Sequence, residues 1–240
     1  MRRSHALDII DALKSTSDLA SVKDLILPEL RRHGFEHFLC ADIPQPGEAL
    51  TDLMLVNEWN PAWADRYLIR NYVARDPMVH EIFRTAEPFR WHEVLERRKV
   101  PRADLRIVHE ASEFRMKDGF VVPIRLLHGR MAVFTMAGEA SNLADQSARA
   151  MLHLLAMYAH ARMRQLKPLP PRKDIPELSP RERECLLWAS AGKTDWEISE
   201  ILHVGEGTIN KHIESAKRRL GVTTRVQAVV HALVSGQIHV

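Results

Sequence analysis

Apolar residues recur at helical spacing near the start of the chain and then gather in short runs. Residues 4–14 and 18–33 place leucine, isoleucine and valine every three or four positions, which predicts two amphipathic helices, the second ending at Gly34. Residues 35–43 and 53–58 are short apolar runs near turn residues, and they predict two strands. Helical and strand patterns within one stretch predict an α+β fold.

The middle of the chain adds a hairpin and a long helix. Residues 119–127 (GFVVPIRLL) and 131–137 (MAVFTMA) are joined through His128-Gly129-Arg130, which is typical of an antiparallel hairpin. Residues 142–166 carry apolar positions along one helical face. Two further helices are predicted, at 103–117 and from Asn60-Pro61 toward Asn71. Helices flanking antiparallel strands predict an α/β/α sandwich for this part of the chain.

The segment KPLPPRKDIPEL, residues 167–178, divides the chain. Its four prolines lack backbone N–H donors and fix φ, so neither a helix nor a central strand can cross it. We therefore expect a first domain over 1–165, a stiff proline-rich linker over 166–176, and a second domain over 177–240.

The second domain has only helical patterns. The predicted helices are 180–190, 195–202, 208–220 and 226–235. A glycine-containing turn, Gly205-Glu206-Gly207, separates the second helix from the third, which is basic. Two short helices joined in this way are typical of the helix-turn-helix motif, so we expect an all-α helix-turn-helix domain.

A helix-turn-helix needs an apolar seam between its helices and a polar face for DNA. Ile198, Ile201 and Leu202 are expected to pack on the third helix. The candidate DNA-binding residues on the outer face of that helix are Thr208, Asn210, Lys211, Glu214, Lys217 and Arg218. Asn, Thr and basic side chains are competent partners of bases and phosphates, and Glu can accept from cytosine. The alternative is a small helical bundle with a solvated basic face.

Composition narrows the function classes. The formal net charge of +3 is too small to indicate nucleic acid by itself, so the local basic cluster on the third helix matters more. Two cysteines, Cys40 and Cys185, suit a reducing compartment. The N-terminal stretch lacks an apolar signal region, and no apolar run could span a membrane, so we expect a soluble cytoplasmic protein without membrane contact.

Neither metal binding nor catalysis is indicated. The 13 histidines lack metal-ligand spacing, so no metal site and no cofactor are expected. Cys40 lies in an apolar strand run, where a buried and inert thiol is the better interpretation. Without a catalytic constellation, we do not expect an enzyme.

The second domain resembles the LuxR-type helix-turn-helix over residues 178–229. The matching residues are Glu182, Leu186, Gly192, Lys193, 198–202, Thr208, Ile209, His212, 220–222 and Arg225. The resemblance implies a transcriptional regulator that binds an inverted-repeat promoter site as a homodimer. The resemblance also implies RNA polymerase as a further partner. Asn210 stands where many family members carry a basic residue, which leaves the base preference open.

The first domain resembles the autoinducer-binding domain of acyl-homoserine-lactone receptors. The resemblance rests on WNPAWADRYLIRNYVARDPMV (59–79), PFRW (88–91), Gly119 and Thr135. It implies a quorum-sensing regulator whose ligand is an N-acyl-homoserine lactone. The implied ligand-binding residues are Trp59, Trp63, Tyr67, Asp76, Trp91 and Thr135.

The resemblance assigns a role to each of these side chains. Trp63 would donate to the lactone carbonyl, and Asp76 would accept from the amide N–H. Tyr67 would donate to the acyl carbonyl. Thr135 would add a hydroxyl contact, and Trp91 would form a flat wall for the lactone ring.

Two alternatives stay open at this point. Trp63 and Tyr67 lie four apart on a helix, and such pairs are more often part of a core, while an Asp before a proline is usually a turn residue. Trp59 stands where the family usually has tyrosine, so the acyl pocket is expected to be shorter or shaped for a branched tail. The alternative function is an orphan LuxR-type regulator that senses a different small molecule or acts without ligand.

Overall fold

The computed structural model describes residues 5–44, 48–126, 130–139, 145–168 and 176–239. The chain forms two compact units, the first with residues 1–125 and 131–169 and the second with residues 126–130 and 170–240. Most of the expected linker, residues 169–175, lies outside the described residues, and its bounds stay a prediction.

One antiparallel sheet organises the first unit, with its strands in the order β2-β1-β5-β4-β3. The strands are β1 (His37–Asp42), β2 (Met54–Asn57), β3 (Phe89–Arg90), β4 (Asp118–Arg125) and β5 (Met131–Gly138). The helices are α1 (His5–Lys14), α2 (Leu19–Arg32), α3 (Leu50–Leu53), α4 (Pro61–Ile69), α5 (Pro77–Ile82), α6 (Trp91–Arg97), α7 (Arg102–Ser112) and α8 (Gln146–Leu166), with a short 3₁₀ turn at Tyr72–Ala74. The predicted α+β class is confirmed.

The predicted hairpin is the pair β4 and β5, which are matched residue for residue from Asp118 opposite Gly138 to Arg125 opposite Met131. Its turn, residues 127–129, lies outside the described residues. Because side chains alternate across a strand, Val121 and Thr135, which are paired, face the same side of the sheet.

Different elements pack on the two faces of the sheet. On one face, residues of β1, β4 and β5 join a single apolar cluster with α3 to α7. On the other face, Phe38 and Phe134 stack with ring centroids 5.3 Å apart. Helix α8 contacts the sheet as well as α1 and α2, and its Arg164 forms an ion pair with the buried Asp42 at 3.2 Å. The expected α/β/α sandwich is therefore observed.

Two sequence predictions for this unit need correction. The helix expected over 103–117 ends at Ser112, because Arg115 adopts a left-handed conformation (φ 63°) that no helix can continue through. The short elements α5, β3 and α6 between residues 77 and 97 were not predicted, since each is too short to show a period.

His160 on α8 makes the stability of this unit depend on pH. Its side chain is buried, and Nε2 has no hydrogen-bond partner among the described residues. Burial, assisted by the nearby Arg164, lowers the pKa of His160 from 6.5 to about 4. Between about pH 6.5 and 4, the His160 imidazole is therefore neutral in the folded state and protonated in the unfolded state.

The free energy of unfolding is expected to fall as the pH drops from about 6.5 to about 4. Above this window both states are neutral at His160, and within it only the unfolded state takes up the proton, a loss on the order of 3 kcal/mol in total. Urea unfolding at a series of pH values measures it. His160→Leu should flatten the profile in this window, whereas His109→Leu, at an exposed position of α7, should not; equal slopes in all three proteins would contradict the assignment.

The second unit contains only helices among its described residues. They are α9 (Pro180–Ser190), α10 (Asp195–Leu202), α11 (Glu206–Leu220) and α12 (Arg225–Val234). Capping boxes begin α9, α10 and α12 at Ser179, Thr194 and Thr224. Across the described part of the chain, no helix combines the length and the apolar character that crossing a membrane requires.

Candidate ligand cavity and nucleic-acid interface

Two neighbouring cavities of about 50 and 20 Å³ lie in the apolar cluster between the sheet and α4 to α7. Five residues line both: Trp59, Tyr67, Asp76, Met78 and Trp91. Thr135 lines the larger cavity, and Trp63 lines the smaller. All six residues that the sequence nominated for ligand binding, from Trp59 to Thr135, therefore line these two cavities.

A larger groove, about 330 Å³, lies elsewhere on this unit and contains none of these six residues. Its lining includes Glu93 and Arg149, which already pair with each other at 2.7 Å. The chemistry for recognising a small amphipathic molecule lies in the two inner cavities, where apolar walls surround a few polar groups.

Asp76, which is half-buried, supplies the carboxylate of the site. It caps the N-terminus of α5, where Oδ1 accepts from the Met78 N–H at 2.8 Å, and Oδ2 accepts from the Tyr67 hydroxyl at 2.8 Å. Burial raises the pKa of Asp76, although these two hydrogen bonds favour its charged form. Burial and the adjacent Asp76 raise the pKa of Tyr67 well above its usual value, so the phenol keeps its proton as a donor.

This pairing bears on the role expected for Tyr67. A phenol has one proton to donate, and here that proton goes to Asp76. Donation to an acyl carbonyl would therefore require the Tyr67 hydroxyl to leave Asp76, a rearrangement that the sequence analysis did not predict.

The three aromatic side chains from 59 to 67 form one cluster. Trp59 and Trp63 contact the ring of Tyr67 edge-on, with centroids 5.1 and 5.7 Å away. Trp63 also packs on Tyr72 and Phe114, which the sequence analysis did not nominate. Edge-to-face contacts of this kind hold the rings in defined orientations, so the cluster forms a firm wall for the cavities.

The buried carboxylate of Glu110 links α7 to Tyr72, which packs on the aromatic cluster. Glu110 accepts from the hydroxyl of Tyr72 at 3.0 Å and from the guanidinium groups of Arg70 and Arg106 at 2.8 and 2.7 Å. Burial alone would raise the pKa of Glu110, but these partners lower it. The carboxylate thus stays charged and keeps the aromatic wall against α7.

The remaining lining is apolar. These residues, which the sequence analysis did not nominate, are Leu39, Ile43, Leu50, Val73, Val79, Ile82, Ile107, Val108, Ala111, Val121 and Val133. Side chains alternate along a strand, so Leu39 on β1, Val121 on β4 and Val133 on β5 face the same side of the sheet. Nothing in the pattern distinguishes a residue that lines a cavity from one that fills the core beside it.

The second unit builds a helix-turn-helix from α10 and α11. Ile198 and Leu202 pack near Ile209 and Ile213, as predicted, but Ile201 is 37% exposed and the expected packing of Ile201 is wrong. The turn is also shorter than predicted. His203, in a left-handed conformation, ends α10, Gly205 caps the next helix, and α11 begins at Glu206 rather than Thr208.

Helix α11 presents its polar face to solvent. Of the six candidate DNA-binding residues, all are exposed except the half-buried Lys217. Lys217 pairs with Glu214 at 2.6 Å, and Asn210 donates to Asp195 on α10 at 3.4 Å. Lys211 and Arg218 extend from the same helix, so the surface offers amide, hydroxyl and cationic groups side by side.

Two carboxylates orient α11 within the unit. Buried Glu182 accepts from the Ser179 N–H and the Ser215 hydroxyl, each at 2.7 Å, and pairs with Arg219 at 3.1 Å. Burial alone would raise the pKa of Glu182, but these partners lower it. Asp195 on α10 pairs with Arg225 on α12, so the matched motif residues Glu182 and Arg225 each link two helices of the unit.

No group of three or more His, Cys, Asp or Glu side chains that could hold a metal ion occurs among the described residues. Both cysteines are unpaired by disulfides and buried, and burial raises the pKa of Cys185 to about 11. Neither thiol has the exposed, electropositive surroundings that a reactive cysteine needs.

The two units together define a class of protein. A cavity lined by a carboxylate and aromatic donors, joined in one chain to a helix-turn-helix, is the architecture of a ligand-responsive transcriptional regulator. Residues 18–163 match the autoinducer binding domain, and residues 176–232 match the bacterial regulatory proteins of the luxR family. The chain belongs to the LuxR family of quorum-sensing transcriptional regulators.

Relatives along the full chain agree. The transcriptional activator protein BjaR1 of Bradyrhizobium diazoefficiens is 34% identical, with 95% of this chain and 93% of the relative covered. The quorum sensing-dependent regulator RpaR of Rhodopseudomonas palustris is also 34% identical, with 97% and 93% covered.

Solved structures share the fold. Escherichia coli SdiA superposes with a TM-score of 0.63 at 18% identity over 96% of both chains. SdiA in complex with octanoyl-rac-glycerol gives a TM-score of 0.67 at 16% identity over all of both chains.

Proposed function

We propose that the ligand is an N-acyl-homoserine lactone bound at the two inner cavities, and that the protein binds an inverted-repeat promoter site as a homodimer. The observation that carries the proposal is Asp76, whose carboxylate lies on the cavity wall among aromatic and apolar side chains. Besides the Tyr67 hydroxyl and the Met78 N–H, its oxygens have lone pairs for a further donor, and the amide N–H of an acyl-homoserine lactone is one.

The other polar groups complement such a ligand. The indole of Trp63 donates to the lactone carbonyl, Trp91 covers the lactone ring, and the Thr135 hydroxyl adds a contact from the sheet. Trp59, which lines both cavities, limits the space left for the acyl chain.

The size of the cavities indicates how binding acts. Small-molecule sites usually enclose about 300–1,000 Å³, more than the two cavities offer, so we expect some of their apolar lining to move as the ligand binds. A ligand that becomes part of the core stabilises the folded state by mass action. We propose that DNA affinity follows from this stabilisation and from the homodimer that it favours.

Exposed apolar faces support the homodimer. Leu154, Met157 and Tyr158 lie on one side of α8 and are 38–50% exposed. On α12, Val226 and Val230 are one turn apart and are 71% and 48% exposed. Apolar stripes of this kind favour helix-to-helix association.

A second partner and the cellular location belong to the same proposal. Trp196 on α10 is 60% exposed, and an exposed tryptophan on a DNA-bound regulator suits a contact with RNA polymerase. Because its DNA target lies in the bacterial cytoplasm, we place the protein there.

A different ligand is the second candidate. The fold is shared with SdiA, which has been solved with octanoyl-rac-glycerol, and the hydroxyl groups of a monoacylglycerol could also donate to Asp76. Binding of 1-octanoyl-rac-glycerol in place of every lactone tested would favour this candidate.

The full-length protein tests the proposal on a labelled inverted-repeat DNA, titrated by fluorescence anisotropy with and without lactone. We expect lactone to tighten DNA binding. Equal affinity in its presence and absence would support the ligand-independent alternative.

Lys211→Ala should weaken DNA binding by about tenfold, because it removes a cation from the exposed face of α11. If Lys211 contacts phosphate, the loss should be uniform across sequences and the slope of log affinity against log salt should fall by about one. Lys99→Ala, an exposed lysine of the first unit, is the matched control and should change neither quantity.

A further inference from the structure

The side-chain amide of Asn210 on α11 is held by a carboxylate of the neighbouring helix. Its Nδ2 atom lies 3.4 Å from Oδ2 of Asp195, the first residue of α10. Because a carboxylate can only accept, the contact fixes which end of the amide is the NH₂ group. One of the two N–H donors of Asn210 is therefore given to Asp195.

Asp195 is itself held from a third helix. Its Oδ1 atom accepts from Nη1 of Arg225, the first residue of α12, and Nη2 of the same guanidinium donates to the backbone oxygen of Lys193 at 2.6 Å. The guanidinium is planar, so two bonds to different partners define its orientation. The Asp195 side chain is only 17% exposed, and both of its oxygens have a partner, so Oδ2 stays directed at Asn210.

The surface beside this amide leaves room for a base edge. Asn210 is exposed, and residues three apart on a helix are neighbours on its surface, which makes Gly207 the neighbour one turn earlier on α11. A Cβ atom added to Gly207 would meet no described atom within 4 Å. A base edge in the major groove can therefore approach Asn210 without meeting a side chain at position 207.

The held amide complements one base. With one N–H given to Asp195, Asn210 keeps one acceptor, Oδ1, and one N–H donor. Adenine presents the matching pair in the major groove, a donor at N6 and an acceptor at N7. Guanine presents two acceptors, which a free amide could meet with both of its N–H groups, but Asp195 already takes one of them. Cytosine and thymine each offer one polar partner, so neither matches both groups.

We infer that Asp195 positions the Asn210 amide to read an adenine in the major groove, once in each half-site of the inverted repeat. The inference rests on the proposed function, because α11 must bind DNA for the amide to meet a base. It makes Asn210 the residue that contacts the base and Asp195 its positioning residue, and it gives a base preference at a position where many family members carry a basic residue.

The first test identifies the base. The full-length protein selects duplexes from a library with a randomised inverted repeat, in the presence of N-butanoyl-, N-hexanoyl- and N-octanoyl-homoserine lactone. Fluorescence anisotropy then compares adenine, guanine and 7-deazaadenine at the position whose preference Asn210→Ala loses. 7-Deazaadenine keeps its Watson–Crick pairing and lacks the N7 acceptor. We expect the wild type to bind either replacement about tenfold more weakly than adenine, and Asn210→Ala to bind all three duplexes equally.

The second test separates positioning from folding. Asp195→Ala should bring the ratio of the affinities for the adenine and guanine duplexes toward one, because the freed amide can donate both N–H groups to guanine. A purely structural role would lower both affinities and leave their ratio unchanged, whatever fraction of the protein is folded. Asp195→Asn keeps an oxygen that can accept from Asn210 and should recover most of the ratio. Glu200→Ala removes an exposed carboxylate from the same helix and, as the matched control, should keep the wild-type ratio.

Two results would overturn the inference while DNA binding by α11 stands. One is an enriched sequence in which Asn210→Ala changes no base preference, and the other is a wild-type ratio of adenine to guanine affinity in Asp195→Ala. A wild-type protein that enriches no sequence at all would contradict the proposed function, and the inference with it.

Discussion

Replacing Asp76 with asparagine is expected to abolish the response to ligand while the helix-turn-helix keeps its fold. Asparagine can still cap α5 through its oxygen, but its amide group would face the Tyr67 hydroxyl with a donor where a carboxylate now accepts at 2.8 Å. The substitution also removes the charged acceptor for the ligand N–H in the cavity. Hydrogen bonds to charged groups contribute about 1.5–3 kcal/mol, which corresponds to an affinity loss of roughly 10- to 150-fold.

Calorimetry with the lactone that best stabilises the wild type measures this loss. Asp65→Asn is the matched control, because Asp65 is exposed on α4, two positions before Tyr67, and should bind ligand normally. Wild-type affinity in Asp76→Asn would remove the carboxylate from the binding site and with it the basis for an amide-bearing ligand.

Gly119→Ala is expected to destabilise the first unit and to disturb the ligand site together. The new methyl group would lie 2.4 Å from the Trp91 ring and 2.8 Å from the backbone oxygen of Met136. The ring could move only by giving up its place on the sheet, and the backbone oxygen is held in the strand pair. Overpacking of this kind costs about 1–3 kcal/mol.

Urea unfolding and lactone calorimetry on Gly119→Ala check both effects. Gly207→Ala is the control, because a Cβ there meets nothing within 4 Å and the residue lies in α11. Alanine in a helix is favoured over glycine by about 0.5–1 kcal/mol, so this change should stabilise the second unit. Wild-type stability and affinity in Gly119→Ala would show that Trp91 does not need its place against the sheet.

The parts of the fold that the sequence predicted well are those with a long or paired pattern. The strands β4 and β5 are continuous apolar runs of eight residues each, and the helix α8 repeats its apolar positions over 21 residues, so local pattern and tertiary burial agree. The segments α5, β3 and α6 are two to seven residues long. Elements that short are determined by what they pack against, which a single sequence does not display.

The ligand site shows a different limit. That Trp63, Tyr67 and Asp76 meet at one place came from the family resemblance, because helical spacing alone describes a core equally well. The hydrogen bond from Tyr67 to Asp76 joins two short helices, and Trp91 lies against Gly119 on a strand of the sheet. Both contacts depend on how separate elements pack together, which local patterns do not show.

The helix-turn-helix shows how capping decides a boundary. Glycine at 205 and 207 suggested a turn running through both, yet Gly205 adopts the extended conformation of a cap and α11 starts directly after it. The turn instead uses His203 in the left-handed region, a conformation that sequence rules assign first to glycine.

Thermal melting of the full-length protein with a panel of acyl-homoserine lactones, differing in chain length, branching and 3-substituent, tests the central claim most directly. At a concentration one hundred times the dissociation constant, a ligand that binds only the folded state stabilises it by about 2.7 kcal/mol, which raises the melting temperature by several degrees. The account predicts a selective rise for one acyl class and a clearly smaller rise for Asp76→Asn at the same lactone concentration. No rise with any lactone, in a folded protein that already binds its DNA, would contradict it.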